Sequence, residues 1–359
     1  GNQLPYIDRV QITILQDSKL IPLKVIAGEI DAQFRPFDLK DLSLLKENAS
    51  KGDYRVLNWA VGDGGATVFY INWDIKDPKL RPIFRNQDFR IALSIAINRE
   101  RINQIVWNGL ATPAQATMGK YLIHYQGIPW AQDFHKRWTT TYAEYNPEKA
   151  KRLLDKVGLK DVDKDGWRDL PDGTPLKLLI DVTSDNLTAI DGLNLVAKDL
   201  QAIGLNVSLN VIGPELWGTR AQNGDFHFQG WATAGDIDLL NYPDNIFPIG
   251  RTRFHPLTGL WHSTGGKQGE PPVGPMKKLL DLYEKALGTR NEIERNRIVL
   301  EACRVHITEG PFAIAACYDL PAIVVVKNNF RNVPEFGITG PWAIGEPGTS
   351  EPSQFFFKR

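Results

Sequence analysis

Cysteine and methionine are scarce in this sequence, since each occurs twice in 359 residues. Two cysteines are too few for the disulfide framework of a small secreted scaffold. Cys303 lies in a run with helical spacing, and Cys317 lies in a strand-like run. We therefore expect two buried free thiols, with a single bridge between them as the alternative.

An excess of charge of either sign is also absent. Lysine and arginine total 42, aspartate and glutamate total 42, and the formal net charge is zero. A neutral chain has no long-range field that attracts nucleic acid or anionic membrane, so we expect no nucleic-acid partner. No stretch reaches the roughly 18 consecutive apolar residues of a membrane span, and no signal peptide is recognisable.

Familiar catalytic signatures are missing as well. The six histidines show no H-E-x-x-H or other zinc spacing, and there is no G-x-S-x-G nucleophile motif. Residues 263–267 (STGGK) lack the frame of a P-loop, because Gln268 follows the lysine. We expect no enzymatic activity; a hydrolase that uses Asp236 with Glu29 or Asp31 is the alternative.

The most informative segment runs from residue 69 to residue 109. Residues 67–73 are mostly β-branched or aromatic, which predicts a strand. Apolar residues then recur at helical spacing, and Asn98 is placed to cap a second helix over residues 99–107. The apolar face of this helix pair is wide, so we expect the segment to organise a core.

The order of residues in this segment resembles the family 5 extracellular solute-binding proteins. A strand ending in Y-x-N is followed by a polar linker and by R-x-x-x-F-R-x-A-L-x-x-A-I-N-R-x-x-I. Further similarity lies in G-E-I-D at 28–31, N-P-x-x-A at 146–150 and GDFHFQGW at 224–231. The family contains the peptide-, nickel- and oligosaccharide-binding components of ABC importers. The resemblance covers nearly the whole chain and is least specific over residues 110–145 and 245–275.

The resemblance implies an α/β fold of the periplasmic-binding-protein-like type II, family 5, with two lobes. We expect residues 1–72 and 318–359 to form the first lobe, in part, and residues 73–317 to form the second. The N-terminal segment that starts the first lobe in the family has no counterpart here. We therefore expect this chain to be the C-terminal portion of a longer protein.

Local patterns predict elements of both lobes. Residues 9–15 alternate between apolar and polar side chains, which predicts a strand, and residues 19–27 predict a helix. From residue 146 to residue 231, strands alternate with helices as in an α/β lobe. Residues 111–145 are polar and interrupted by glycine and proline, so we expect long loops there.

Residues 225–245 (DFHFQGWATAGDIDLLNYPDN) are the strongest candidate for a binding site. A strand followed by a loop of carboxylates places an aromatic face where α/β sheets bind ligands. Tryptophan stacks on peptide bonds or sugar faces, and carboxylates accept hydrogen bonds from amines or hydroxyls. The predicted ligand-binding residues are Trp231, Asp236, Asn72, Trp73, Tyr242 and Asn245.

The sequence leaves structural roles open for several of these residues. Trp231 could belong to a core, Asp236 to a turn, and Asn72 and Trp73 to packing at the strand end. Three other tryptophans are weaker candidates that we expect to be structural: Trp217, Trp261 and Trp342.

Residues 161–172 (DVDKDGWRDLPD) fit the calcium-loop template. Aspartate fills positions 1, 3 and 5, glycine fills position 6, and acids fill positions 9 and 12. Position 12 is aspartate rather than glutamate, and the flanks predict a helix and a strand rather than two helices. We expect a structural Ca²⁺ site, with a turn held by side-chain hydrogen bonds as the alternative. The predicted ligands are Asp161, Asp163, Asp165, the carbonyl of Trp167, Asp169 and Asp172.

The resemblance implies an extracytoplasmic solute-binding component of an ABC importer, periplasmic or lipid-anchored. In the family's peptide binders, an aspartate three residues after the matching tryptophan pairs with the peptide amino group, and that position is Ala234 here. We therefore favour a peptide only slightly over an oligosaccharide. The expected partners are the solute and a membrane permease, the expected state is a monomer, and no cofactor beyond calcium is expected. An oligosaccharide-binding importer component and a ligand-sensing domain without transport are the alternatives.

Overall fold

The computed structural model describes residues 3–35, 37–62, 64–115, 118–250, 253–340, 345, 347 and 349–358. Within them the helices are α1 (Leu20–Ile26), α2 (Leu42–Glu47), α3 (Leu80–Arg85), α4 (Gln87–Ile95), α5 (Arg99–Trp107), α6 (Ala131–Thr140), α7 (Pro147–Val157), α8 (Leu187–Gln201), α9 (Pro214–Asn223), α10 (Pro256–Ser263), α11 (Pro275–Leu287) and α12 (Glu292–Thr308). Of the helices in these ranges, none has the length and apolar character needed to cross a membrane.

The strands in the same ranges are short, as is usual in mixed folds. They are β1 (Ala32–Gln33), β2 (Tyr54–Val61), β3 (Gly65–Ile71), β4 (Thr112–Pro113), β5 (Lys177–Thr183), β6 (Asn206–Ile212), β7 (Phe228–Ala234), β8 (Ala313–Tyr318), β9 (Pro321–Lys327), β10 (Phe330–Arg331), β11 (Ile338–Thr339) and β12 (Phe356–Phe357).

The chain divides into two compact units. Unit 1 consists of Gly1–Gly62, Trp107–Ala111 and Asp319–Arg359, and unit 2 consists of Asp63–Val106 and Thr112–Tyr318. The sequence had placed the start of the second lobe at residue 73, whereas unit 2 already includes β3 as a central strand. The assignment of these units to the lobes of a whole protein stays a prediction.

A six-stranded mixed sheet in the order β4-β8-β3-β7-β5-β6 forms the centre of unit 2. β5 pairs in parallel with β6 and β7, and β3 pairs antiparallel with β7 and β8. Every residue of β3 is buried, because both faces of this central strand are covered. α8 approaches β3 closely at Gly192, where an added Cβ would lie 2.5 Å from the Thr67 hydroxyl oxygen.

The helix pair α4 and α5 contributes a buried cation, Arg99, to unit 2. The side chain of Asn98 accepts the backbone N–H of Arg101 at 3.0 Å, which confirms the predicted cap of α5. The guanidinium of Arg99 is buried and donates to the carbonyls of Ser94 and Ala315. Burial lowers the pKa of Arg99 to about 10, so the side chain is still charged at neutral pH. Carbonyl oxygens replace the water that this cation loses.

Unit 1 is built around a four-stranded sheet in the order β1-β9-β2-β11. β9 pairs antiparallel with β1 and β2, and β11 pairs in parallel with β2. The apolar side chains of β2 and β9 that form its core include Leu57, Trp59, Val324 and Val326. Alternation along these two strands places those residues on one face.

The prediction of a strand over residues 9–15 is wrong. These residues have no strand assignment, and Val10, Ile12 and Ile14 are 78%, 84% and 92% exposed. An alternating sequence forms a strand only when a neighbour completes its hydrogen bonds and covers its apolar face. None of the described strands pairs with this segment.

The prediction of loops throughout residues 111–145 is also wrong, because α6 lies within them. Trp130 occupies the N-cap position of α6 but makes no capping hydrogen bond, so the sequence carries only a weak signal for the start of this helix. The helix is stabilised instead by Phe134 and Trp138, which are buried in the main core of unit 2. Tertiary packing therefore decides the structure here.

Two further predictions concern the cysteines and Trp342. Cys303 and Cys317 are both free and buried, which confirms the expectation of two buried thiols. Trp342, a weak site candidate from the sequence, lies outside the described residues.

Candidate functional site

Two partly exposed tryptophans of unit 2 form a stacked pair, called here the aromatic pair. Trp231 lies on β7 and Trp217 on α9, which begins with Pro214 and ends at the left-handed Gly224. The ring centres are 5.1 Å apart, and the ring planes are inclined by 29°. Neither residue is fully buried, so the pair presents aromatic surface to solvent. Such faces stack on flat or ring-shaped groups.

Arg253 contacts two aromatic rings beside this pair. Its guanidinium carbon lies 5.7 Å from the ring centre of Trp231 and 5.2 Å from that of Tyr70. The residue is 7% exposed and has φ of 65°, a region that residues other than glycine rarely adopt. Its Nε donates to Asn245 Oδ1 and its backbone N–H to Gln229 Oε1, both at 3.0 Å. The strained residue is thus held through its side chain and its backbone.

Arg253 keeps its positive charge in these surroundings. Desolvation acts to lower its pKa, but the interactions with Tyr70, Asp244 and Tyr242 outweigh desolvation, and the pKa is raised. Burial and the nearby Asp244 raise the pKa of Tyr242, so this phenol is neutral at physiological pH. The cluster therefore combines aromatic faces, a cation and a neutral hydroxyl.

Two further predicted residues join Trp231 around Arg253. Tyr242 is partly buried and hydrogen-bonded to the side chain of Arg253. Asn245 is buried at the end of the 3₁₀ turn Pro243–Asn245, and its Oδ1 also accepts the hydroxyl of Tyr70 at 2.9 Å. Asn245 therefore positions Arg253 and Tyr70 and does not itself face solvent.

Asp236 lies in the loop after β7 but does not point its charge to solvent. It is buried, and its Oδ1 accepts the backbone N–H of Ile237 at 2.6 Å. The next carboxylate, Asp238, accepts N–H groups of its own turn and lies 3.3 Å from His124 Nε2. The hydrogen bond with His124 lowers the pKa of Asp238. Both carboxylates shape the loop, which is the turn role that the sequence had left open.

Asn72 and Trp73 do not join this cluster. Asn72 is fully buried, and its Nδ2 donates to the carbonyls of Gly224 at 3.0 Å and Phe226 at 2.7 Å. Trp73 is buried and lies edge-on to Phe312, with ring centres 5.5 Å apart. Both side chains pack inside unit 2, as in the packing role that the sequence leaves open, and their contact with a ligand stays a prediction.

Three of the six predicted calcium ligands converge. One carboxylate oxygen from each lies within 4.8 Å of the other two, and these residues are Asp161, Asp163 and Asp169. Asp165 instead accepts the backbone N–H of Trp167 at 2.8 Å. Asp172 pairs with Lys79 at 2.7 Å, and the hydrogen bond from this ammonium group strongly lowers the pKa of Asp172. The structure thus forms a three-carboxylate part of the template.

A comparison with known families identifies the chain. The model of the bacterial extracellular solute-binding proteins, family 5, middle region, matches residues 1–248. The chain belongs to this family. Its sequence resemblance is thereby confirmed, and the solved structures below confirm the α/β periplasmic-binding-protein-like type II fold.

Curated relatives of this family 5 chain are longer proteins. The periplasmic alpha-galactoside-binding protein of Rhizobium meliloti (strain 1021) is 25% identical over 347 residues, which are 93% of this chain and 48% of that protein. The probable ABC transporter periplasmic-binding protein SapA of Escherichia coli (strain K12) is 26% identical over 204 residues, 55% of this chain and 31% of that protein. The chain spans half or less of the length of these relatives.

Solved structures cover the chain more completely. The oligopeptide-binding protein OppA is 34% identical, with a TM-score of 0.78, and the similarity covers 100% of this chain and 58% of that one. The periplasmic binding protein MelB of Agrobacterium fabrum C58, in complex with stachyose, is 18% identical with a TM-score of 0.70 over 94% of this chain and 50% of that one. The second similarity is evidence of fold alone.

The candidate site contains residues that the sequence does not single out. Arg253 gave no local signal, because its partners come from β3 and β7, which are distant in sequence. Gln229 could have been found, since it is a polar residue in a buried strand and shares a face with Trp231 two positions later. Trp217 was only a weak candidate. Trp261, the other weak candidate in the described chain, lies on α10 near Gly266.

Proposed function

We propose that this chain is the solute-binding component of an ABC importer, acts outside the cytoplasm and contacts its solute through the aromatic pair. Family membership supports the class of protein. The probable ABC transporter-binding protein of Deinococcus radiodurans, 24% identical over 77% of this chain and 41% of that protein, supports a permease as the partner. The main support for the site is that the rings of Trp217 and Trp231 stay partly exposed, although their burial would be favourable.

The chemistry of the cluster suits a solute with flat or ring-shaped faces. Indole rings stack on peptide bonds and on pyranose faces. The 34% identity to OppA supports a peptide as the first candidate. The alpha-galactoside-binding relative, together with Ala234 in place of the amino-binding aspartate, supports an oligosaccharide as the second.

We propose a binding function without catalysis, in a monomer that is periplasmic or lipid-anchored. Two carboxylates of the hydrolase alternative are occupied in other ways. Asp236 is buried and accepts an N–H of its own loop. Glu29 pairs with Lys24 at 2.5 Å. These contacts support turn and surface roles for the two acids.

The experiment that tests this function starts from the bound solute. Native mass spectrometry of freshly purified protein identifies a copurifying peptide or sugar, and calorimetry then measures its affinity. Trp231→Ala should weaken binding at least about tenfold, because an aromatic contact residue is lost. Trp130→Ala is the matched control, since Trp130 is also partly exposed in unit 2 but contacts Phe134 of α6 edge to face. Equal affinities of both variants for the solute would show that the aromatic pair does not contact it.

We further propose that the acidic loop binds Ca²⁺ as a structural ion. The convergence of three carboxylates supports this, and two of them, Asp161 and Asp163, are exposed. Calorimetric titration of chelator-treated protein with Ca²⁺ should give a heat that Asp163→Ala abolishes. Asp165→Ala should retain this heat, because Asp165 lies outside the three-carboxylate cluster and bonds Trp167. A wild-type heat no larger than that of Asp163→Ala would exclude the site.

A further inference from the structure

A row of polar side chains crosses the sheet of unit 2 next to the aromatic pair. Pairing registers place Asn210 of β6 opposite Asp181 of β5, Asp181 opposite Gln229 of β7, and Gln229 opposite Tyr70 of β3. Residues paired in this way point to the same face of a sheet. Asp181, Gln229 and Tyr70 are all buried. We call these four residues the polar row. Buried polar residues at adjacent strand positions are uncommon, so a functional or structural role is expected for them.

Asp181 is the member of the polar row that reaches α9. Its carboxylate accepts Asn210 Nδ2 at 2.8 Å and Arg220 Nε at 2.6 Å, and the residue is 2% exposed. Its backbone carbonyl accepts the indole N–H of Trp217 at 3.3 Å. Trp217 and Arg220 are three positions apart and lie on the same side of the helix. One residue of β5 therefore holds two neighbouring positions of α9.

Apolar packing alone does not fix the rotation of α9. Among its ten residues, all of which are described, Ala221 alone is buried, and Leu216 is 53% exposed. A helix with so little apolar burial can turn about its axis at small cost in buried area. Its hydrogen bonds to Asp181 are directional and determine which side chains face the sheet. The rotation of α9 in turn decides whether Trp217 stacks on Trp231.

We infer that Asp181 is a positioning residue of the solute site: it fixes α9 so that Trp217 stacks on Trp231. This inference rests on the proposed function for its effect on affinity, but its structural part can be tested without a solute. An apolar residue could fill the space at position 181. It could not accept the hydrogen bonds of Asn210 and Arg220. Of the two bonds to α9, only that of Trp217 to the backbone carbonyl would remain, and one bond does not fix the rotation of the helix.

The test compares two buried aspartates that each pair with an arginine. Asp181→Asn removes the charge that holds Arg220, and Asp199→Asn does the same for Arg101, which lies 2.6 Å from Asp199 in unit 2. Stacked indoles give an exciton couplet in circular dichroism, and Trp217→Phe and Trp231→Phe assign it to this pair. Calorimetry with stachyose and with a mixed pool of short peptides measures binding, and urea unfolding measures stability.

Asp181→Asn should lose most of the couplet and weaken binding about tenfold, the scale of one charged hydrogen bond. Asp199→Asn should lower the urea unfolding midpoint about as much as Asp181→Asn does, but it should keep both the couplet and the affinity for solute. If Asp181→Asn does not fold, Arg220→Gln replaces it and should also reduce the couplet. A full couplet in the folded Asp181 or Arg220 variant overturns the inference. If the wild-type protein shows the couplet but binds neither solute class, the proposed function fails and the positioning role stands.

Discussion

Strand β3 of unit 2 and the strand-like segment 9–15 of unit 1 differ in how far their apolar side chains are buried. In unit 2, all seven residues of β3 are buried between neighbouring strands and covering layers. In unit 1, the alternating pattern of residues 9–15 also predicts a strand, yet Val10, Ile12 and Ile14 are exposed. Phe356 and Phe357 of unit 1 are also 41% and 42% exposed. The two segments have similar local preferences and opposite outcomes.

The difference teaches that a strand depends on its neighbours more than on its own sequence. β3 has a partner on each side, and the segment 9–15 pairs with none of the described strands. Strand preference measures how well side chains fit a pleated and partly covered surface. Buried side chains of unit 2 should therefore contribute much more to stability than chemically similar side chains of unit 1 that are exposed or partly exposed.

The largest contrast is expected between two arginines that donate to carbonyls. Arg99→Met in unit 2 should lower the free energy of unfolding by about 4 kcal/mol, because it leaves buried carbonyls of Ser94 and Ala315 without their donor. Arg55→Met in unit 1 should lower it by about 1 kcal/mol, since Arg55 is partly exposed and water can replace it. Urea unfolding measures both values. Equal losses would contradict the contrast between the units.

The second contrast concerns two isoleucines. Ile180→Ala in β5 should lower stability by about 3 kcal/mol, because this side chain is fully buried. Ile12→Ala in unit 1 should change stability by less than about 0.5 kcal/mol, because the side chain is already in solvent. Hydrogen exchange of both variants shows whether protection is lost in the mutated unit. A loss above about 1 kcal/mol for Ile12→Ala would mean that residues 9–15 are packed in solution.

A third and smaller contrast concerns pH. Asp74 of unit 2 is buried and accepts the backbone N–H of Thr258 at 2.7 Å and its hydroxyl at 3.0 Å. Burial raises the pKa of Asp74 from 3.8 to about 6, although the bonds from Thr258 act to lower it. The folded state then holds this proton more tightly than the unfolded state, so this group makes stability fall as pH rises from about 4 to about 6.

Asp74→Asn should remove this fall, which amounts to about 2–3 kcal/mol. Asp41→Asn in unit 1 is the control, because burial and the nearby Asp38 raise the pKa of a carboxyl that is still partly exposed. Its effect on the pH dependence should be smaller. Urea unfolding at several pH values across this range measures the slopes. An unchanged slope in Asp74→Asn would show that the carboxyl does not titrate in this window.

Elements with strong local signals could be predicted from the sequence. α7 has Asn146 as its cap, Pro147 at its first position and the left-handed Gly158 at its end, as the pattern indicates. α6 lacks such a cap and depends on distant packing partners, so its sequence suggested loops. The strand predicted over residues 9–15 is wrong for the complementary reason: the pattern is typical of a strand, but none of the described strands pairs with it.

The candidate site was predictable only in part. Trp231, Tyr242 and Asn245 lie in one continuous segment whose composition suggested binding, and the structure gathers them around Arg253. Arg253 itself is beyond local reasoning, because Tyr70, Trp231 and Gln229 are brought to it by the sheet. Asn72 and Trp73 make packing contacts inside unit 2, because polar and aromatic residues at a strand end serve packing as well as they serve ligands.

The central claim is that solute contacts the aromatic pair of unit 2. Fluorine NMR of protein labelled with fluorotryptophan observes all ten tryptophans at once. Phenylalanine variants assign the resonances of Trp217, Trp231 and the control Trp130. On addition of the solute identified by native mass spectrometry, we predict shifts of Trp217 and Trp231 and no shift of Trp130. Saturating solute that moves other resonances and leaves Trp217 and Trp231 unchanged would contradict the claim.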